Sequence, residues 1–157
     1  MKSHFTKNDE RFLIKNLLTY YTKPVICAEV GNRTGTSTRF FSTHLPKKSR
    51  LYSVDIKMHD IDVPDNVIRV HSCSLRWNVS NNLDFVYLDG DHNTSHVIKE
   101  IEKFSKVTNT IAGHDCGHVA YALFKQFQNK EKHCELLFDN HCSSWIMRIM
   151  HNERFAQ

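Results

Sequence analysis

Three side chains that can take part in proton transfer lie within four positions of one another near the middle of the chain. They are Asp89, Asp91 and His92, in the segment VYLDGDHNTSHVIKE that spans residues 86–100. A carboxylate or a neutral imidazole can accept a proton from a hydroxyl group, and imidazole titrates near neutral pH. Asp91 or His92 could therefore act as a general base. The alternative is structural: Asp91 caps a helix that starts near Thr94, and His92 packs against the loop.

A second carboxylate extends this cluster. Asp89 and Asp115 each follow a short apolar segment, and the carboxyl ends of neighbouring parallel strands meet at one edge of a sheet. Two converging carboxylates suit a hard cation, so Asp89 and Asp115 are predicted ligands of Mg2+ or another divalent ion. The next residue, Cys116, offers sulfur, which Mg2+ disfavours, so a metal-free site stays open. His114 and His118 are expected to line the same cleft or to be exposed, since their spacing matches no known zinc motif.

A glycine-containing loop, AEVGNRTGTST at residues 28–38, lies between a predicted strand and a predicted helix. Gly31 and Gly35 would let the backbone approach a ligand, and the hydroxyls of Thr36, Ser37 and Thr38 could cap the helix. The loop has the position at which doubly wound folds bind ligands. An ordinary strand-to-helix turn remains the alternative.

Asp55 lies at the end of the next predicted strand, 20 positions after Gly35. An acidic residue at this place in doubly wound folds binds ribose hydroxyls, although an aspartate that caps a turn is also common there. The dinucleotide fingerprint G-x-G-x-x-G is absent, because Arg33 stands where its second glycine would be. The pattern therefore favours a nucleoside-containing ligand other than NAD.

Short apolar segments predict the strands that would position these residues. Their continuous apolarity indicates a parallel sheet covered on both faces, and the last two, joined by a few residues, predict an antiparallel hairpin. Helical spacing predicts helices between most strands, whereas the links after the second and third strands are too short for full ones. The predicted strands are 25–31, 50–56, 67–73, 83–90, 109–115, 133–140 and 143–152, and the predicted helices are 8–21, 36–45, 94–107 and 118–129.

The spacing also predicts which helical residues face the core. In the first helix, capped by Asn8 or Asp9, the inward residues are Phe12, Leu13, Leu17 and Tyr20, and in the last helix they are Val119, Leu123, Phe124 and Phe127. The chain as a whole, residues 1–157, is expected to form one α/β domain: a Rossmann-like, mostly parallel seven-stranded sheet with a C-terminal antiparallel hairpin.

Composition narrows the class of protein. A chain of 157 residues with 40% hydrophobic content can bury one core. Its formal charge of +4 is spread along the sequence, and the nearest basic patch is PKKSR at 46–50, so nucleic-acid binding is an alternative without strong support. The N-terminal residues do not resemble a secretory signal, no apolar run would span a bilayer, and the five cysteines contain no CxxC pair. A cytoplasmic protein with reduced thiols is expected.

The order of the motifs EVGNRTGTST, LYSVDI, LDFVYLDGDHNTS and IAGHDC resembles the class I S-adenosylmethionine-dependent methyltransferases. The closest branch is that of small-molecule and sugar O-methyltransferases, which carry E-x-G-x-x-x-G-x-S and a later D-G-D-H. The resemblance covers residues 25–150 and implies S-adenosylmethionine as the cofactor. It places Asp55 at the ribose hydroxyls, Cys73 and Ser74 beside adenine and Asp89 at the cofactor edge. The implied contacts of the amino-acid end are Glu29, Gly31, Asn32, Gly35 and Ser37.

The resemblance implies methyl transfer to a hydroxyl of a small polar acceptor, a sugar or a related metabolite. A second subunit would complete the open cleft, so a homodimer is expected. One alternative is a protein that binds the same cofactor but breaks it down, hydroxylates a substrate or transfers nothing. Another is a nucleic-acid methyltransferase, which is disfavoured because the relevant strand ends in LDGD and not in the N/D-P-P-Y/F motif of base-amine methylation.

Overall fold

The computed structural model describes residues 5–79, 82–128 and 133–150, which contain seven strands and four α-helices. The strands are β1 (Ile26–Val30), β2 (Arg50–Asp55), β3 (Val67–His71), β4 (Phe85–Leu88), β5 (Thr110–Gly113), β6 (His133–Phe138) and β7 (Trp145–Met150). The helices are α1 (Lys7–Asn16), α2 (Thr36–His44), α3 (Thr94–Phe104) and α4 (Cys116–Phe127). The predicted order of elements is confirmed.

The seven strands form one sheet in the order β3-β2-β1-β4-β5-β7-β6. Strands β1 to β5 pair in parallel, and β7 runs antiparallel to both β5 and β6. The chain passes from β3, at one edge, back to β4 beside β1, so the strand order reverses between β1 and β4. Ligands of doubly wound folds bind outside the carboxyl ends of the strands at such a switch point.

Helices cover both faces of the sheet. Phe12 and Leu13 of α1 and Phe41 of α2 pack on one face, whereas Ile101 of α3 and Leu123 of α4 pack on the other. The core is therefore two apolar layers separated by the sheet, which explains why β1 and β4 are apolar on both faces.

The links after β2 and after β3 contain no helix within their described residues, as the sequence predicts. In the second link, the Trp77 ring packs between the rings of Tyr52 and Phe104, with centroids 5.5 and 6.3 Å away. The Lys103 ammonium donates hydrogen bonds to the carbonyl oxygens of Ser74 and Trp77. Contacts with α3 therefore hold this link in position, although its described residues form no helix.

The cap predicted for the first helix is wrong by two or three residues. Thr6 is the N-cap, and Asp9 completes a capping box with it, because the Asp9 carboxylate accepts the Thr6 backbone N–H at 2.8 Å. The helix also ends before Tyr20, which is 67% exposed instead of buried. Its ring lies 4.6 Å from the guanidinium carbon of Arg148.

Two of the four inward positions predicted for α4 are wrong. Val119 and Leu123 are buried, but Phe124 and Phe127 are 57% and 47% exposed. The buried face continues through Ala122 and Gln126 instead, which completes the spacing i, i+3, i+4, i+7 from Val119. No helix in the described part of the chain is long and apolar enough to cross a membrane.

Substitution of Gly31 tests the close approach of β1 and β4. Gly31 has a φ of +86°, and a Cβ there would lie 2.3 Å from the carbonyl oxygen of Asp89. We expect Gly31→Ala to lower the free energy of unfolding by about 3 kcal/mol or more, from backbone strain and the clash. Urea denaturation measures the change.

Gly117 provides the matched control, because a Cβ there would meet nothing within 4 Å and the residue is helical. Gly117→Ala should be neutral or stabilising by up to about 1 kcal/mol. Equal effects of the two substitutions would contradict the proposed role of Gly31.

Candidate functional site

A cleft of about 810 Å³ lies at the carboxyl ends of the parallel strands. Its size is in the range of small-molecule sites. The structure brings most of the predicted site residues to its wall: Gly31, Asn32, Ser37, Asp55, Cys73, Ser74, Asp89, Asp91, His92 and Asp115. Two predicted site residues do not line the cleft: Glu29 is fully buried behind its wall, and Gly35 is the N-cap of α2.

The hydroxyls predicted to cap α2 have another function. Ser37 and Thr38 donate hydrogen bonds to the carboxylate of Glu29, and no side chain caps the helix at Gly35. The N–H groups of the first turn, at Thr36 and Ser37, therefore stay available at the cleft wall. A helix N-terminus of this kind attracts anionic groups.

Burial raises the pKa of Glu29 from 4.5 to about 7, although hydrogen bonds from Ser37, Thr38 and Ser53 counteract part of this effect. The side chain is fully buried at the end of β1. Glu29 therefore acts on the cleft through Ser37, whose hydroxyl it orients.

Asp55 holds the glycine-containing loop in shape. Its Oδ2 accepts the backbone N–H groups of Asn32 at 3.0 Å and Arg33 at 3.3 Å, and its Oδ1 accepts that of Lys57 at 2.9 Å. The side chain of Asn32 is buried and donates from Nδ2 to Ser53 Oγ at 2.9 Å. The Asn32 Oδ1 atom is buried and has no hydrogen-bond donor within the described residues.

Three side chains near the ends of β4 and β5 form a compact group, the acidic cluster: Asp89, His92 and Asp115. The His92 Nε2 atom lies 3.1 Å from Asp115 Oδ2 and 4.0 Å from Asp89 Oδ1. One ligand atom from each residue lies within 4.8 Å of the others, a spacing that could hold a metal ion. Asp115 has left-handed backbone angles, with φ of 56°, and this conformation turns it from the end of β5 into the cleft.

His114 lies beneath the acidic cluster with only 2% of its surface exposed, and not in the cleft wall or on the surface as predicted. Its Nδ1 lies 3.2 Å from Asp115 and 3.7 Å from Asp89, and its Nε2 lies 3.6 Å from the buried Asp9. Burial alone would lower the pKa of His114, but the three carboxylates raise it to about 9. The side chains of Cys116 and His118 are outside the described ones, so their predicted roles stay predictions.

The carboxyl groups of Asp89 and Asp9 also contribute to the charge of this region, and the pKa of each is shifted. Burial raises the pKa of Asp89 to about 7, with Asp115 adding to the effect and His114 opposing it. Burial would also raise the pKa of Asp9, but the nearby His114 side chain and hydrogen bonds from Thr6 and Ser144 lower it well below its usual value. Sequence reasoning missed Asp9 as a site residue. The only local signal was its place three residues after Thr6 in a capping pattern.

A second polar group, the α3 cluster, borders the same cleft and consists of Ser74, Asp91, His96 and Glu100. The His96 Nε2 atom lies 3.2 Å from both Ser74 Oγ and Glu100 Oε1, and its Nδ1 lies 3.6 Å from Asp91 Oδ2. Asp91 does not cap α3, because Asn93 is the N-cap and Asp91 accepts the Asn93 backbone N–H at 2.8 Å. His96 and Glu100 were missed from the sequence, although their i, i+4 spacing places them on one helix face.

Comparison with known proteins identifies the fold. No family model and no curated protein matches the chain, but solved structures do. The methyltransferase MycE, in complex with Mg and SAH, has a TM-score of 0.73 at 14% identity, over 96% of this chain and 53% of MycE. An O-methyltransferase from Bacillus cereus in complex with SAH has a TM-score of 0.66 at 12% identity, over 96% and 84%. A protein from Clostridium thermocellum named as a candidate rRNA methylase has a TM-score of 0.67 at 10% identity, over 96% and 99%.

The chain spans about half the length of MycE and almost all of the Clostridium protein. It therefore has the fold of the class I methyltransferases. At identities of 10–14%, this likeness concerns the fold and not the reaction.

The raised pKa of Glu29 predicts a pH-dependent stability. Folded Glu29 binds a proton more tightly than the unfolded residue, so wild-type stability should fall as the pH rises from 4.5 to about 7. Glu29→Gln removes this titration. We expect the stability of the variant relative to wild type to be about 3 kcal/mol greater at pH 8 than at pH 4.5.

Urea denaturation at the two pH values measures this difference, and any hydrogen-bond cost of the substitution that does not vary with pH cancels in the comparison. The exposed Glu102→Gln is the control and should show no such difference. A Glu29→Gln variant whose relative stability does not change with pH would show that Glu29 is ionised at no extra cost in the folded protein.

Proposed function

We propose that the protein binds S-adenosylmethionine in this cleft and transfers its methyl group to a hydroxyl of a small polar acceptor, such as a sugar. The observation that carries the proposal is that one cleft joins the glycine-containing loop and Asp55 to the acidic cluster. The first part suits a charged nucleoside ligand, and the second can take the proton that a hydroxyl must lose. The fold shared with methyltransferases supports the same function.

The cleft residues suit the polar ends of this cofactor. The free N–H groups at the start of α2 favour a carboxylate. Asp55 Oδ2 already accepts two backbone N–H groups, whereas Oδ1 accepts one and keeps a lone pair for a ribose hydroxyl. When bound, the cofactor supplies an electrophilic methyl group on a sulfonium sulfur.

The acidic cluster would deprotonate the acceptor. His92 is 36% exposed in the cleft and lies 3.1 Å from the Asp115 carboxylate, which stabilises the imidazolium that forms when His92 takes the hydroxyl proton. The S–CH3 bond breaks as the O–CH3 bond forms, so the products are a methyl ether, S-adenosylhomocysteine and a protonated imidazole. Alignment of the acceptor oxygen with the methyl group supplies the remaining rate enhancement.

A divalent ion would lower the pKa of an acceptor hydroxyl by a different route, as a Lewis acid. Asp89, Asp115 and His92 are the residues that would hold it. A ligand set of two carboxylates and an imidazole is better suited to Mn2+ than to Mg2+, because imidazole is a softer ligand than oxygen.

Calorimetry with S-adenosylmethionine (SAM) and S-adenosylhomocysteine (SAH) tests whether the cleft binds the cofactor. Mass spectrometry of the products tests whether the methyl group is transferred. We expect one-to-one binding of both, and methylation of at least one acceptor in a panel of sugars, phenols and short rRNA hairpins. His92→Gln should lower kcat about 100-fold while the Kd of SAH stays within about twofold, because proton transfer is lost and binding is not. His141→Gln, a change of an exposed histidine outside the cleft, is the control.

Each outcome has a distinct meaning. Failure to bind SAM and SAH would contradict the proposed function entirely. Binding without transfer would indicate a cofactor-binding protein, and methylation of the rRNA hairpins alone would assign the acceptor to nucleic acid.

The metal proposal is tested by titration of the metal-free protein with Mn2+ and with Mg2+. We expect one site per chain, tighter for Mn2+, and at least about tenfold weaker in Asp115→Asn. Asparagine tolerates the left-handed backbone at position 115, so the substitution removes a charge without forcing a new conformation. The control Asp91→Asn changes a cleft carboxylate outside the acidic cluster and should bind as wild type does. Identical affinities for wild type and Asp115→Asn would rule out this ligand set.

A further inference from the structure

A second groove, the α1 groove, has a volume of about 350 Å³ and lies between α1 and the turn that joins β6 to β7. Its volume is at the lower end of the range of small-molecule sites. Among the described residues, none lines both this groove and the cleft. The residues of the α1 groove with the most distinct chemistry are Asn8, Arg11, Phe12, Lys15, Leu137 and Phe138.

Hydrogen bonds hold the two walls of the α1 groove together. The Asn8 side chain donates from Nδ2 to the carbonyl oxygen of His141 at 2.9 Å. The buried Asp9 carboxylate accepts the backbone N–H groups of Ser143 and Ser144, at 3.0 and 2.9 Å. The groove therefore has its shape before a ligand enters, and a preformed site loses less entropy on binding.

The charge of the groove favours an anion. Arg11 and Lys15 are one helical turn apart, so both side chains leave α1 on the same face. Both are exposed, and neither side chain has a hydrogen-bond or ion-pair partner among the described residues. Asp139 supplies the only carboxylate of the described lining, and its Oδ1 accepts the backbone N–H of His141 at 2.8 Å. Two cations against one carboxylate suit a phosphate group, which both Arg and Lys bind well.

Much of the remaining lining is apolar. Phe12 is buried and Leu137 is half-buried, whereas Phe138, the last residue of β6, is 58% exposed. The exposed ring of Phe138 gives a flat aromatic ligand a face to stack on. A ligand that suits both parts of the groove carries an aromatic ring and phosphate groups, which is the chemistry of a nucleotide.

The sheet places the α1 groove near the cleft. The strand register aligns Gly113 of β5, Trp145 of β7 and Phe138 of β6 across one edge of the sheet. This is the edge at which β5 leads into the acidic cluster. Helix α1 reaches the same region, because the Asp9 carboxylate lies 3.6 Å from His114, the residue beneath the acidic cluster. A ligand in the groove therefore lies beside that end of the cleft.

We propose that the α1 groove binds a nucleoside diphosphate, with its phosphates at Arg11 and Lys15 and its base stacked on Phe138. A free nucleotide and a nucleotide-linked sugar both present this chemistry. The proposal goes beyond the proposed function and does not depend on it, because the groove and the cleft share no described lining residue.

Calorimetry of the full chain with uridine diphosphate (UDP) tests the site. We expect one UDP per chain, with a Kd below about 100 μM. Inorganic pyrophosphate supplies the phosphates without the base, and uridine supplies the base without the phosphates, so each should bind at least about tenfold more weakly. UDP-glucose separates the two sources: binding at least as tight as that of UDP assigns the site to a nucleotide-linked sugar, and weaker binding assigns it to the free nucleotide.

Substitutions separate the two parts of the site. Arg11→Gln and Lys15→Gln should each weaken the binding of UDP and of pyrophosphate about tenfold, because each removes a charge-assisted contact. Phe138→Ala should weaken UDP about tenfold and leave pyrophosphate unchanged, because only stacking is lost. Lys106→Gln and Phe124→Ala change an exposed cation and an exposed aromatic residue outside the groove, and these controls should bind as wild type does. Thermal denaturation checks that each variant is folded.

The outcomes are distinguishable from those of the proposed function. Saturating SAH should leave the Kd of UDP within about twofold, because SAH would occupy only the cleft. Competition between the two would place UDP in the cleft and overturn this proposal alone. Failure of SAH to bind would overturn the proposed function alone, since UDP binding is measured without it.

Four results would overturn the nucleotide site. They are no binding of UDP at about 1 mM, UDP binding that is unchanged in Arg11→Gln and Phe138→Ala, pyrophosphate binding as tight as that of UDP, and binding of a short oligouridylate more than about tenfold tighter than that of UDP. The third result would reduce the groove to an anion site, and the fourth would assign it to a nucleic-acid strand.

Discussion

The ends of β1 and β4 approach each other so closely that a side chain at Gly31 would overlap the Asp89 carbonyl. This contact lies at the switch point of the sheet, where the backbone N–H of Asp89 donates to the carbonyl of Val30 at 2.8 Å. It brings the glycine-containing loop and the first carboxylate of the acidic cluster to one cleft. Everything that the cleft can bind or deprotonate depends on these two strand ends being held together.

The second constraint is electrostatic. Asp9, Asp89 and Asp115 surround His114, and their charges raise its pKa to about 9, so the imidazolium offsets part of the negative charge beneath the cleft. Asp9 also accepts the backbone N–H groups of Ser143 and Ser144, at 3.0 and 2.9 Å. One buried carboxylate therefore links α1, the turn before β7 and the histidine below the acidic cluster. This links the stability of the C-terminal hairpin to the geometry of the site.

The short links after β2 and β3 show how the fold keeps its cleft with fewer helices. Helix α3 supplies the missing wall: Phe104 packs against Trp77, and Lys103 binds the carbonyls of the link. The same helix contributes His96 and Glu100 to the cleft. One face of α3 packs in the core. His96 and Glu100, which are one helical turn apart, share a face that borders one end of the cleft.

The sequence by itself determined the order and type of the elements and which loops end at the cleft. Strand and helix periods and the short links are local properties of the chain, and the carboxyl ends of parallel strands converge whatever the side chains are. The tertiary structure alone decided the partners: that Ser37 donates to Glu29, that His92 pairs with Asp115, that His114 is buried against Asp9, and that His96 reaches Ser74. These contacts join residues that lie apart in the sequence, so no local pattern records them. The exposed Phe124 and Phe127 have the same explanation, since which face of α4 is buried depends on the sheet beneath it.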